Sequence, residues 1–104
     1  MSPLINRHRT SIAEECRKYG VRRLELFGSA ARGDFAPGKS DFDFVATFSE
    51  TTTGGYADRY LDFAEALERL LGHRVDLLTE RSIRNPYFAR AVDAARQVVY
   101  DGRG

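Results

Sequence analysis

The apolar residues of this chain change their spacing several times along its 104 residues, from a helical period to a strand period and back. The clearest helical stripe covers residues 56–71, where apolar side chains recur every three or four positions. The clearest strand pattern is the alternating segment DFDFVATF at residues 41–48. The full pattern predicts helices at residues 3–19, 29–32 (one short turn), 56–71 and 86–95, and strands at residues 21–27, 41–48, 73–79 and 97–100.

Helices and strands that alternate in this order predict an α/β (α+β) fold, with a mixed sheet of about four strands flanked by helices. The length suits a single domain covering residues 1–104, and no repeat, low-complexity tract or linker divides it. A composition of 42% hydrophobic and 30% charged residues is typical of a globular protein rather than a disordered one.

Several classes of protein are disfavoured by the composition. No apolar run approaches the roughly 18 residues of a membrane span, and the N-terminal residues contain no apolar signal segment. The single cysteine, Cys16, cannot form an intramolecular disulfide, so we expect a cytoplasmic protein. A net charge of +1 does not favour binding to a polyanion, and we expect no direct nucleic-acid binding.

Gly28 and Ser29 lie where the first predicted strand meets a short helical turn. At such a junction, backbone N–H groups can approach an anion closely, and the Ser29 hydroxyl adds a donor. Arg32 and Lys39 follow within the same loop region and can supply positive charge to a phosphate tail. This pattern alone is also compatible with a segment that binds nothing, because most Gly-Ser pairs are simple turns. Arg32 and Lys39 can likewise be solvated surface residues.

Three aspartates interrupt otherwise apolar strands. Asp41 and Asp43 are two positions apart, so on a strand their carboxylates point to the same face, and Asp76 lies in the middle of the third predicted strand. Aspartate is disfavoured in strands, and two carboxylates so close repel each other. Bound divalent cations would offset both the unfavourable placement of aspartate in a strand and the repulsion between the carboxylates. If the two strands are neighbours, the three carboxylates can hold two Mg²⁺ ions, an arrangement typical of phosphoryl and nucleotidyl transfer.

The segments GSAARG at residues 28–33 and SDFD at residues 40–43 together resemble the signature of the polymerase-beta-type nucleotidyltransferase superfamily. The resemblance is strongest to its minimal nucleotidyltransferase (MNT) branch, the MntA-like antitoxins. It implies a single-domain nucleotidyltransferase fold, ATP as nucleotide donor and Mg²⁺ as cofactor. It also implies that Gly28 and Ser29 bind the triphosphate, that Asp41 and Asp43 bind metal, and that Asp76 is the third carboxylate.

The same resemblance implies a partner. Members of this branch are enzymes that transfer AMP from ATP to a tyrosine of a HEPN-domain toxin and so silence it. Two alternatives stay open at this point. The chain can be a non-catalytic antitoxin that neutralises its toxin by forming a complex, or it can transfer the nucleotide to a nucleic acid or a small molecule.

Overall fold

The structure of the chain is a computed structural model, and it describes residues 3–28, 41–49, 56–79, 90 and 96–102. Within these residues the chain forms helices and strands in the order α1 (Pro3–Arg7), α2 (Arg9–Tyr19), β1 (Val21–Phe27), β2 (Phe42–Phe48), α3 (Tyr56–Leu71), β3 (Val75–Thr79) and β4 (Gln97–Asp101). The predicted α/β class and the four strands are confirmed, and β1 and α3 have the predicted bounds.

The four strands form one mixed sheet in the order β3-β2-β1-β4. Strand β1 is central and pairs antiparallel with β2 on one side and with β4 on the other. Strands β2 and β3 pair in parallel, so the helix α3 that connects them along the chain crosses over the sheet. The sheet therefore brings the two predicted aspartate strands side by side.

The main core lies between the helices and one face of the sheet. The alternation of β1 and β2 places Leu24, Leu26, Phe42 and Phe44 on that face, and all four are fully buried. The helices cover them with residues from their apolar stripes, namely Ile5, Ile12, Cys16, Phe63, Leu67 and Leu71. The aspartates of β2 and β3 alternate with these core residues, so the opposite face of the sheet carries them.

Four predicted elements differ from the structure at their ends. The second strand begins at Phe42 rather than at residue 41, and the last strand ends at Asp101 rather than at residue 100. The helix predicted at residues 3–19 is two helices, because His8 adopts φ −104° and ψ 14° and leaves helical geometry. The third strand begins at Val75 rather than at residue 73. The ring of His73 packs edge-on against Phe42 at 5.5 Å between ring centres, and pairing with β2 starts with Phe42 opposite Val75.

The short turn at residues 29–32 and the helix at residues 86–95 lie outside the described part of the chain, apart from Arg90. Of the helices that the structure describes, none combines the length and the apolar character needed to cross a lipid bilayer.

Candidate active site

Gly28 directly follows β1 and has a φ of 72°, a conformation that side chains other than glycine rarely adopt. The reason for a glycine here is also spatial. A Cβ built at Gly28 would overlap the carboxylate oxygen Oδ2 of Asp43 and would lie 3.1 Å from its Cγ. The missing side chain therefore lets the Asp43 carboxylate lie directly against the backbone at the end of β1.

The sheet register places Asp76 beside Asp43. Phe27, the last residue of β1, is the Cα partner of Asp43, and Asp43 is in turn the partner of Asp76. Residues paired in register on neighbouring strands point to the same face of a sheet. Asp43 is half-buried and Asp76 is exposed. The carboxylates of Asp43 and Asp76 thus share one face, next to Gly28.

A small apolar cluster lies on the same face, at the level of Asp43 and just beyond it along the strands. It consists of Phe27 and Val45, which are buried, with Leu78 packed against them. Because strand residues two positions apart share a face, this cluster lies next to the two carboxylates. Apolar surroundings exclude water from one side of the acidic pair and strengthen its interaction with a cation.

Asp41 immediately precedes β2, at the same end of the sheet. Its Oδ1 lies 3.8 Å from Nε of Arg74, and the two side chains are 42% and 86% exposed. Among the side chains that the structure describes, no three histidine, cysteine, aspartate or glutamate groups are gathered closely enough to hold a metal ion. A joint magnesium site of Asp41, Asp43 and Asp76 therefore stays a prediction, although their carboxylates are the oxygen ligands that Mg²⁺ prefers.

Three predicted nucleotide-binding residues, Ser29, Arg32 and Lys39, lie outside the described residues. Conversely, the structure shows charged residues near the site that the sequence interpretation did not select. Arg74 contacts Asp41, and Glu25 is a buried carboxylate in the central strand. The sequence could have indicated Glu25, because it is an acidic residue between two leucines of a strand. The position of Arg74 near Asp41 follows only from the pairing of β2 with β3.

The chain matches the family model described as "Nucleotidyltransferase domain" over residues 9–99. The chain belongs to the nucleotidyltransferase domain family. A candidate protein adenylyltransferase of Methanocaldococcus jannaschii is 41% identical to this nucleotidyltransferase over 76 residues, which cover 73% of the chain and 74% of the relative. Protein adenylyltransferase MntA of Thermococcus cleftensis is 33% identical over 97 residues, covering 93% of the chain and 88% of the relative.

Solved structures share the fold of this nucleotidyltransferase. One described as a candidate minimal nucleotidyltransferase superposes with a TM-score of 0.74 at 32% identity, covering 93% of this chain and 95% of that one. The complex of a tri-AMPylated Shewanella oneidensis HEPN toxin with an MNT antitoxin matches at a TM-score of 0.64 and 18% identity, covering 95% of this chain and 74% of the matched chain. A toxin–antitoxin crystal structure with AMP-PNP matches at a TM-score of 0.68 and 21% identity, covering 89% of this chain and 73% of the matched chain. The last two likenesses concern the fold alone.

Proposed function

We propose that this nucleotidyltransferase transfers AMP from ATP to a tyrosine hydroxyl of a HEPN-domain toxin in a Mg²⁺-dependent reaction, and that it acts as the antitoxin of that protein. The arrangement of Asp43 carries the proposal. Its carboxylate lies against Gly28 and beside Asp76, on the face of the sheet opposite to the main core. The relationship to proteins named protein adenylyltransferase supports AMP as the transferred group, and the fold shared with an MNT antitoxin supports the partner.

The proposed reaction joins the acceptor oxygen to the α-phosphorus of ATP and breaks the bond from that phosphorus to the bridging oxygen, so pyrophosphate leaves. Asp41, Asp43 and Asp76 would hold Mg²⁺, up to two ions, which when bound supplies positive charge against the phosphate oxygens. Gly28 and Ser29 bind the triphosphate, with Arg32 and Lys39 as additional phosphate contacts. The exposed carboxylate of Asp76 receives the proton of the acceptor hydroxyl.

The test is transfer of label from α-³²P-ATP to a purified HEPN-domain protein of the same genome, with Mg²⁺. We expect Asp43→Asn to lower the rate by on the order of 100-fold, because a lost metal ligand removes several kcal/mol of charge stabilisation. Asp62→Asn is the matched control, since Asp62 is exposed on α3 and a surface substitution should change the rate by about twofold at most. Melting curves of both variants verify the fold.

Each other outcome has a defined meaning. Undiminished labelling by Asp43→Asn contradicts the proposed site. Label that appears on RNA or on a small molecule, and not on the toxin, reassigns the acceptor. A toxin that Asp43→Asn neutralises as fully as the wild type, without any labelling, shows that complex formation is sufficient and that transfer is not the antitoxin mechanism.

A further inference from the structure

A buried carboxylate with two partly exposed arginine partners lies on the same face of the sheet as the two aspartates. Glu25, in the central strand, is 3% exposed. Its Oε1 lies 3.4 Å from Nε of Arg23 and 3.3 Å from Nη1 of Arg96. Burying a carboxylate is unfavourable until its partners compensate for it, and an apolar residue at this position would usually be at least as stable. This group of charges therefore points to a role besides stability.

The two arginines lie at different distances from the proposed nucleotide site. Arg96 directly precedes Gln97, which is the Cα partner of Leu26, so Arg96 lies at the end of β1 that leads to Gly28. Arg23 lies two residues before Glu25, towards the other end of the strand. Glu25 and Phe27 share a face of β1, and Phe27 is the partner of Asp43. The Arg96 guanidinium bound to Glu25 is therefore on the face of the aspartates.

An anion at the end of β1 would have the two neighbouring strands on either side of it, each about 5 Å away. On the β2 side it meets Asp43 and Asp76, with the cations that they would hold. On the β4 side it would meet Arg96, whose side chain is 20% exposed. A guanidinium keeps its charge at all relevant pH values, and its fork of N–H donors fits phosphate oxygens.

We propose that Arg96 binds the phosphate tail of ATP and that Glu25 is a positioning residue that holds its guanidinium in place. This inference rests on the proposed function, because it takes the end of β1 as the nucleotide site. It adds a residue that directly precedes the last strand, 53 positions beyond Asp43 in the numbering, to a site that the recognisable motifs confine to the segments around residues 28–43 and Asp76. Arg23 binds the same carboxylate but lies away from the site, and it has no part in binding the nucleotide.

The experiment compares Arg96→Gln with Arg23→Gln in the full chain, and it measures the dissociation constants of ATP and of adenosine in the presence of Mg²⁺. Both substitutions remove one cation from the same glutamate, so they are matched in charge and in chemistry. We expect Arg96→Gln to weaken ATP binding by about tenfold or more, the value of a lost charged hydrogen bond. Adenosine binding should stay within about twofold, since adenosine has no phosphate, and Arg23→Gln should leave both constants within about twofold.

If either single variant melts below the assay temperature, Arg96→Lys and Arg23→Lys replace them. Each keeps a positive charge beside Glu25, so the buried carboxylate stays compensated, but each loses the fork of N–H donors that fits phosphate oxygens. The same contrast in ATP binding is expected between them. If the Arg96 and Arg23 variants bind ATP equally well, Arg96 does not bind the phosphate tail. The same conclusion follows if the Arg96 variant loses as much affinity for adenosine as for ATP. If that contrast is absent while Asp43→Asn is inactive in transfer, only this inference fails. A wild-type chain that binds no ATP overturns both proposals.

Discussion

Gly28 is required for two reasons, and the variant Gly28→Ala tests them together. Its φ of 72° costs an alanine about 1–2 kcal/mol. The new Cβ would also push the flexible tip of Asp43 aside, because it overlaps Oδ2 of that carboxylate. We expect a folded protein with a modest loss of stability and a loss of nucleotidyl transfer on the order of tenfold or more. Urea unfolding and the labelling assay measure the two effects separately.

Gly72→Ala is the matched control for that prediction. Gly72 has a φ of 69°, and nothing lies within 4 Å of a Cβ built there. The backbone strain is the same, at about 1–2 kcal/mol, while Asp43 is untouched. If both variants lose transfer equally, then strain or instability explains the loss and the contact between Gly28 and Asp43 does not.

Cys16 is predicted to make the folded state less stable in alkali. Burial raises the pKa of its thiol from 9.0 to about 12. Below pH 9 the folded and unfolded forms both hold the proton. Between pH 9 and pH 12 the unfolded chain loses it and the folded chain keeps it, so stability falls as pH rises, by up to about 1.4 kcal/mol per pH unit. Urea unfolding at pH 8 and pH 10 should show a larger loss for the wild type than for Cys16→Ala. An equal loss in both would contradict the prediction.

At the scale of the element, α3 shows how a helix is specified by one stripe of residues. Leu67 is fully buried in that stripe, whereas Leu61, on the outer side of the same helix, is 62% exposed. We expect Leu67→Ala to lower the free energy of unfolding by about 2–5 kcal/mol, because it removes buried methyl groups and leaves a cavity. Leu61→Ala, the same chemical change, should stay within about 0.5 kcal/mol. Similar losses in urea unfolding would show that α3 packs through a different face.

The ends of the elements depend on contacts that periodicity does not contain. The apolar spacing predicts α3 and β1 with their observed bounds, because each is a continuous pattern that ends at a glycine. The first helix is divided at His8, although Ile5 and Ile12 are both buried, as its single stripe requires. The start of β3 is decided by Phe42 of another strand, whose N–H donates to the carbonyl oxygen of Arg74 at 3.0 Å.

At the scale of the whole molecule, one core joins the described helices to the sheet. Ile12 and Cys16 of α2, Leu24 of β1 and Phe63 of α3 belong to the same buried cluster. We therefore expect a single cooperative unfolding transition. The urea midpoint measured by labelling of the Cys16 thiol should coincide with the midpoint measured by far-ultraviolet circular dichroism. Thiol labelling at lower urea would show that α2 detaches before the sheet unfolds.

The sequence by itself determined the order of the described elements, the stripes that form the core and the acidic residues that interrupt the strands. These are local properties, because propensity, apolar period and a two-residue spacing such as that of Asp41 and Asp43 are set by neighbours along the chain. Only the tertiary structure decided that β3 lies beside β2, which places Asp76 opposite Asp43, and that β4 lies on the other side of β1, which brings Arg96 to Glu25. Strand order is a consequence of how the helices cover the sheet as a whole. No local pattern encodes which distant strand will supply the neighbour.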